Sequence, residues 1–180
     1  KRALLNFVRK LTWKYKRPLV LKSPTHTGRI KLILQLFPTA RFVHVHRDPY
    51  AVFQSTRRLY EKAVAPSYLQ QPDPAQLDTG ILRRYKLMYD AFFEERSLIP
   101  AGQFCEIGFE ALERDPLAQM ANVYEQLRLD GFDQVQPQVQ QYLDARSSYQ
   151  KNEHPALAEP LRQGVAQSWR RSFEAWGYAA

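Results

Sequence analysis

The chain has 180 residues, 44% of them hydrophobic and 24% charged, with 26 Lys and Arg against 18 Asp and Glu for a net charge of +8. That size and apolar content suit a single globular domain over residues 1–180 and exclude a fibrous or disordered chain. The charge calls for an acidic partner, whether nucleic acid, an anionic membrane surface or a small polyanion.

The text opens inside an amphipathic helix. Leu4, Leu5, Val8 and Leu11 recur at helical spacing among Lys1, Arg2, Arg9, Lys10 and Lys14, with neither the apolar core nor the cleavage site of a signal peptide. The chain is therefore expected to begin within a longer protein. Arg17-Pro18 breaks the pattern, and the short apolar run Leu19-Val20-Leu21 predicts a buried parallel strand that ends at Lys22-Ser23-Pro24. Ile30, Ile33, Leu34 and Phe37 then predict a helix from Thr27 to Pro38. Lys31 and Gln35 interrupt that stretch, which falls far short of the roughly 20 apolar residues of a membrane span.

Arg41 to His46, RFVHVH, reads as a second strand, and Asp48-Pro49 as the cap and first turn of a helix burying Val52, Phe53, Thr56, Leu59 and Tyr60. Ala65 to Thr79, with Pro66, Pro72 and Pro74, predicts a long surface loop of the kind that forms lids. A helix over about 80–96 turns Ile81, Tyr85, Met88 and Phe92 inward, and Gly102 to Ile107 is the third strand. Leu117, Met120, Ala121, Tyr124 and Leu127 mark another helix, and 136–146 and 158–176 two more, the last capped by Gly177. Cys105 is the single cysteine and cannot form an internal disulfide, which suits a reducing, cytoplasmic setting.

Alternating strand and helix predicts an α/β fold, a three-layer parallel sheet with helices on both faces. Ligands in such sheets bind at the carboxyl ends of strands, here Lys22 to His26 and Arg47 to Pro49. Arg47 leaves its strand just before a helix, and Ser55 stands eight residues on. A forked guanidinium, a hydroxyl and helix amides together suit a phosphate; alternatively Arg47 pairs with a carboxylate and Ser55 bonds to its own helix. In Lys22-Ser23-Pro24-Thr25-His26 the lysine can neutralise charge growing on a leaving oxygen and the imidazole can take a proton. A capping or buried histidine is the plainer reading of His26. His44 and His46 point to one face of their strand, but no acidic or cysteine partner stands at a metal-site spacing, so they are expected to pack beneath a helix and no metal is expected.

The run LVLKSPTHTGRIKLILQLFPTARFVHVHRDPYAVFQST resembles the central block of the sulfotransferase superfamily, especially the bacterial group related to the tyrosylprotein sulfotransferase branch. The resemblance implies a nucleoside-triphosphate-hydrolase-like fold of P-loop type, N-terminally incomplete, and the co-substrate 3′-phosphoadenosine 5′-phosphosulfate. It puts the 3′-phosphate on Arg47 and Ser55 and assistance of sulfuryl transfer on Lys22; His26 resembles the family's frequent histidine just beyond that lysine, whose catalytic role varies between branches, the base of some branches lying ahead of the segment that begins at Lys1. IGFEALERDP is similar to a family segment with arginine at Gly108 and tyrosine at Phe109, and SYQKNEHPAL is similar to its C-terminal part, where Lys151 would be a second cation for the 3′-phosphate. The family's first strand and phosphosulfate-binding loop have no counterpart here, and no G-x-x-x-x-G-K-[ST] loop occurs. The implied acceptor is a hydroxyl or amine on a small molecule, carbohydrate, lipid or peptide, entering over 65–79 and the helix with Tyr85, Tyr89, Phe92 and Phe93. Two other classes stay open: a binding module for the nucleotide without chemistry, and a basic nucleic-acid domain. The latter is disfavoured because basic residues are spread over several helices without a recognition signature.

Overall fold

The computed structural model describes residues 1–70, 73–146 and 156–180, with residues 74 and 75 described by their backbone alone. Helix α1 (Arg2–Tyr15) buries none of its residues and ends at Lys16 in the left-handed conformation. The strand predicted at Leu19 to Leu21 does not form: residues 18–23 belong to no regular element, and Val20 is 96% exposed. An apolar run becomes a strand only where a neighbouring edge takes its backbone hydrogen bonds, and neither strand of the described sheet does so. A 3₁₀ segment, Pro24–Arg29, leads into the short α2 (Ile30–Leu36).

The sheet is a parallel pair, β1 (Phe42–His46) and β2 (Phe104–Gly108), in the register Phe42 to Phe104 through His46 to Gly108. Between them lie α3 (Pro49–Leu59) and α4 (Pro74–Glu95). The cap of α3 is as expected, with Ala51 N–H donating to Asp48 Oδ1 at 2.8 Å. The long loop predicted over 65–79 is largely absent. The chain beyond α3 keeps turning through Tyr60–Val64 and Ala65–Ser67, and α4 already starts at Pro74. Proline in a first helical turn loses no hydrogen bond, so Pro66 and Pro74 sit where turns begin rather than where structure stops.

After β2 come α5 (Phe109–Arg114), α6 (Pro116–Gln126), α7 (Phe132–Asp144), α8 (Glu159–Ser168) and α9 (Arg170–Trp176). The helix predicted over 136–146 starts earlier, directly after Gly131 at φ 83°. The one predicted over 158–176 is two helices, broken at Trp169. There the indole N–H donates to the Leu82 carbonyl at 3.0 Å and the ring stacks on Tyr85 at 3.6 Å, tying the break to α4. Gly177 ends α9 in the left-handed region as expected.

Two clusters form the core. Tyr50 and Phe53 of α3, Ile81 and Tyr85 of α4, and Val165, Trp169 and Phe173 of α8 and α9 make one; Cys105 and Ile107 of β2 with Val123 and Leu127 make the other. Side chains alternate along β2, so Cys105 and Ile107 face α6 while Glu106 and Gly108 face the opposite side. There His44 lies buried beneath Phe92 of α4 and near Trp176 of α9. The parallel pair thus has helices on both faces, and its carboxyl ends are the turns that follow His46 and Gly108.

Candidate functional site

At these two strand ends the turns clasp each other. The Arg47 guanidinium lies 4.2 Å from the centre of the Phe109 ring, and the Asp48 N–H donates to Glu110 Oε1 at 3.1 Å. A Cβ on Gly108 would stand 3.2 Å from His46 Cε1, so a larger residue there needs the imidazole to give way. The His46 ring stacks on Trp176 with 5° between planes, its Nδ1 is 3.0 Å from the Tyr178 hydroxyl, and that hydroxyl donates to Glu110 Oε2 at 2.7 Å. Since the tyrosine proton goes to the carboxylate, Nδ1–H of His46 is the donor to Tyr178. One layer deeper, His44 Nδ1 lies 2.8 Å from Glu106 Oε1, its Nε2 3.3 Å from the Tyr89 hydroxyl, and the Trp176 indole N–H donates to the same Glu106 oxygen at 3.3 Å. A carboxylate only accepts, which puts a proton on His44 Nδ1.

Electrostatics follows from these contacts. Burial pushes the Glu106 carboxyl up, but the hydrogen bond and charge of His44, with Trp176 and His46, outweigh it and leave Glu106 below its ordinary range. Glu110 is likewise held low: burial opposes, and Tyr178, the Asp48 N–H and the Arg47 charge prevail. Burial lowers His46 despite the nearby Glu106 carboxylate. Tyr89 is pushed up to about 12 by burial and then by Glu106, and Tyr178 is raised by burial and by its bond to Glu110. The strand ends therefore favour carboxylates and a neutral His46 beside a permanent cation, Arg47.

The residues singled out from the sequence fall into two places. Arg47 is half-buried directly ahead of α3, and Ser55 is exposed six residues into that helix, a rise of about 9 Å. One early amide of α3, that of Ala51, is already held by Asp48. Arg47 is stacked on the Phe109 ring and makes no ion pair with a carboxylate among the described residues. Lys22 is exposed in the unpaired run, and His26 is half-buried on the 3₁₀ segment, its Nδ1 buried without a hydrogen-bond partner among the described residues. That segment packs closely on α4, where a Cβ on Gly28 would come 3.2 Å from the Met88 carbonyl oxygen. Helix α4 packs against α3 as well, so it is a wall common to both constellations. Tyr85 and Phe92 are core residues, as their inward spacing predicts, and do not line an acceptor entrance. Lys151 lies outside the described residues.

His44 packs beneath a helix as expected, but its acidic partner was missed: Glu106 sits opposite it in register, a relation no spacing along the chain encodes. A glutamate amid the apolar residues of strand 104–108 was the available signal. Among the described residues no group of three His, Cys, Asp or Glu could hold a metal ion.

A family model described as the sulfotransferase family matches residues 1–134. The omega-hydroxy-beta-dihydromenaquinone-9 sulfotransferases Stf3 of Mycobacterium bovis and Mycobacterium tuberculosis are each 34% identical to this chain over 178 residues, 99% of it and 46% of their own length. The chain thus spans about half the length of the curated relatives it matches. The crystal structure of sulfotransferase STF9 from Mycobacterium avium superposes with a TM-score of 0.68 and 20% identity, covering 86% of this chain and 41% of that one, and bears on the fold alone.

Proposed function

The chain belongs to the sulfotransferase family, and from that premise we propose that it holds the 3′-phosphate end of 3′-phosphoadenosine 5′-phosphosulfate and takes part in transfer of the sulfuryl group to an acceptor hydroxyl or amine. The observation that carries this reading is Arg47, stacked on Phe109 at the carboxyl end of β1 and leading into the helix that bears Ser55. Stacking on a ring leaves the guanidinium edge and its N–H donors available to a phosphate. Lys151 is proposed as a second cation for the same group.

In the proposed step an acceptor oxygen bonds to sulfur as the bond from sulfur to the bridging phosphate oxygen breaks. The electron pair leaves with 3′-phosphoadenosine 5′-phosphate. Lys22 neutralises that growing charge, and His26 takes the acceptor proton. As base, His26 keeps its lone pair on Nε2 and a proton on Nδ1; the absence of a partner on Nδ1 leaves the tautomer unenforced. No metal enters the scheme. For the whole protein we propose the three-layer, P-loop-like fold of the family and a reducing, cytoplasmic setting, in keeping with the buried free Cys105. Among the described residues no helix is long and apolar enough to cross a membrane. The names of the curated relatives make a lipid-like alcohol the first acceptor to try.

The experiment is transfer of labelled sulfuryl from the donor to such an alcohol, with and without Lys22→Ala and His26→Ala. Label on the acceptor, lost in both variants while donor affinity is kept, is expected. Binding without transfer would mark a nucleotide-binding module, and neither binding nor transfer would overturn the reading.

A further inference from the structure

Arg47 has two acids for neighbours and pairs with neither. Asp48 follows it in the chain, and Glu110 follows Phe109, the ring on which the guanidinium rests at 4.2 Å. The Arg47 charge reaches Glu110 and helps to hold its carboxyl low, yet no ion pair joins the two among the described residues. A guanidinium and a carboxylate left free to meet form a strong, often bidentate pair. Arg47 paired in that way would face an incoming phosphate with its charge and its donors already engaged.

The acids stay off Arg47 because their oxygens are held elsewhere. Asp48 Oδ1 accepts the Ala51 N–H at 2.8 Å as the cap of α3. Glu110 Oε1 accepts the Asp48 N–H at 3.1 Å, and Oε2 accepts the Tyr178 hydroxyl at 2.7 Å. An ionised carboxylate only accepts, so one donor on each oxygen fixes which way it points. The tyrosine that supplies the second donor is itself anchored. His46 Nδ1–H donates to it at 3.0 Å, and the His46 ring stacks on Trp176, two residues ahead of Tyr178. The restraint on Glu110 therefore comes from the far end of the chain, and every contact in it is internal.

We propose that Tyr178 is a positioning residue for the 3′-phosphate site: its hydroxyl holds the Glu110 carboxylate away from Arg47 and so keeps the guanidinium open to the donor. The inference rests on the reading of Arg47 as the 3′-phosphate cation. Without the hydroxyl, Glu110 Oε2 loses its donor, and Arg47, whose charge already reaches that carboxylate, can replace it. Carboxylate and phosphate then compete for one fork of N–H groups. Competition of this kind has a sign that lost packing does not: removing the charge of Glu110 restores what removing the hydroxyl costs.

The test is calorimetric titration of 3′-phosphoadenosine 5′-phosphate and of adenosine 5′-phosphate into the chain, Tyr178→Phe, Glu110→Gln and the double variant, each checked by a thermal melt. The unaltered chain should prefer the first ligand, and Tyr178→Phe should lower that affinity about tenfold with the second ligand unaffected. Glu110→Gln still offers Oε1 to the Asp48 N–H. It should keep full affinity alone and, in the double variant, bring affinity back to within about threefold of the unaltered chain. A Tyr178→Phe chain that unfolds, or a loss that Glu110→Gln does not repair, makes the tyrosine structural and overturns the proposal. So does a folded Tyr178→Phe chain with undiminished affinity. No preference in the unaltered chain overturns the donor reading, and the proposal with it, so that titration tells the two failures apart.

Discussion

Arg47 and Lys22 are the two cations on which the proposed chemistry depends, and their surroundings differ. Arg47 rests on Phe109 in a clasp of hydrogen-bonded groups that includes Asp48, Glu110, Tyr178 and His46. Lys22 stands exposed in an unpaired run, at the end of 22 residues that hold eight cations and no anion. The strand end is preorganised, so it can receive an anion with little ordering cost. The N-terminal stretch is not, and it gains most from whatever neutralises it. Binding of the donor's fixed 3′-phosphate suits the first region, and a charge that appears only during transfer suits the second.

The largest effect that could break this comparison is on stability. Phe53 is wholly buried on α3 against Trp169, so Phe53→Ala should cost about 3–5 kcal/mol in a denaturant melt, while Trp13→Ala should stay within about 0.5 kcal/mol. Equal losses would mean that α1 is as much part of the core as α3. Next comes chemistry without stability: Lys22→Ala should lower turnover of the active protein about a hundredfold and leave the melting temperature unchanged. A fall of several degrees would make Lys22 structural. Glu106→Leu removes the acceptor of both His44 and Trp176 and should cost about 1–3 kcal/mol, read from the same melts.

The smallest expected effect is a pH slope. His46 has a lowered pKa in the folded chain, so the unfolded chain binds its proton more readily, and stability should start to fall as pH drops below about 6.5. Glu106 and Glu110 are also lowered, and their contribution should be lost as pH falls further, below about 4.5. His46→Phe, which keeps the stack on Trp176, should flatten the first step and leave the second. An unchanged first step would place the titration elsewhere.

What could be read from the sequence was what is local. Arg47, the Asp48 cap, Pro49 and Ser55 lie within nine residues, so a strand-to-helix turn and its cation were visible in spacing alone. Leu19 to Leu21 misled because an apolar run states a preference for burial and not the edge that would satisfy it. Pro74 misled because proline both ends and begins helices, and only the residues after it decide which. The clasp was out of reach: Glu106 meets His44 through strand register, and Tyr178 reaches His46 across 132 positions of chain. Gly108 and Phe109, departures from the family's segment, become intelligible only there, one making room for His46 and the other supporting Arg47.

The most direct measurement is calorimetric titration of the chain and its Arg47→Ala variant with 3′-phosphoadenosine 5′-phosphate and with adenosine 5′-phosphate. The account predicts that the chain prefers the first ligand and that the variant loses about tenfold to a hundredfold in affinity for it, with little change for the second. Equal affinity of the folded chain for both ligands, or equal loss of both in a folded variant, would contradict the assignment of the 3′-phosphate to Arg47.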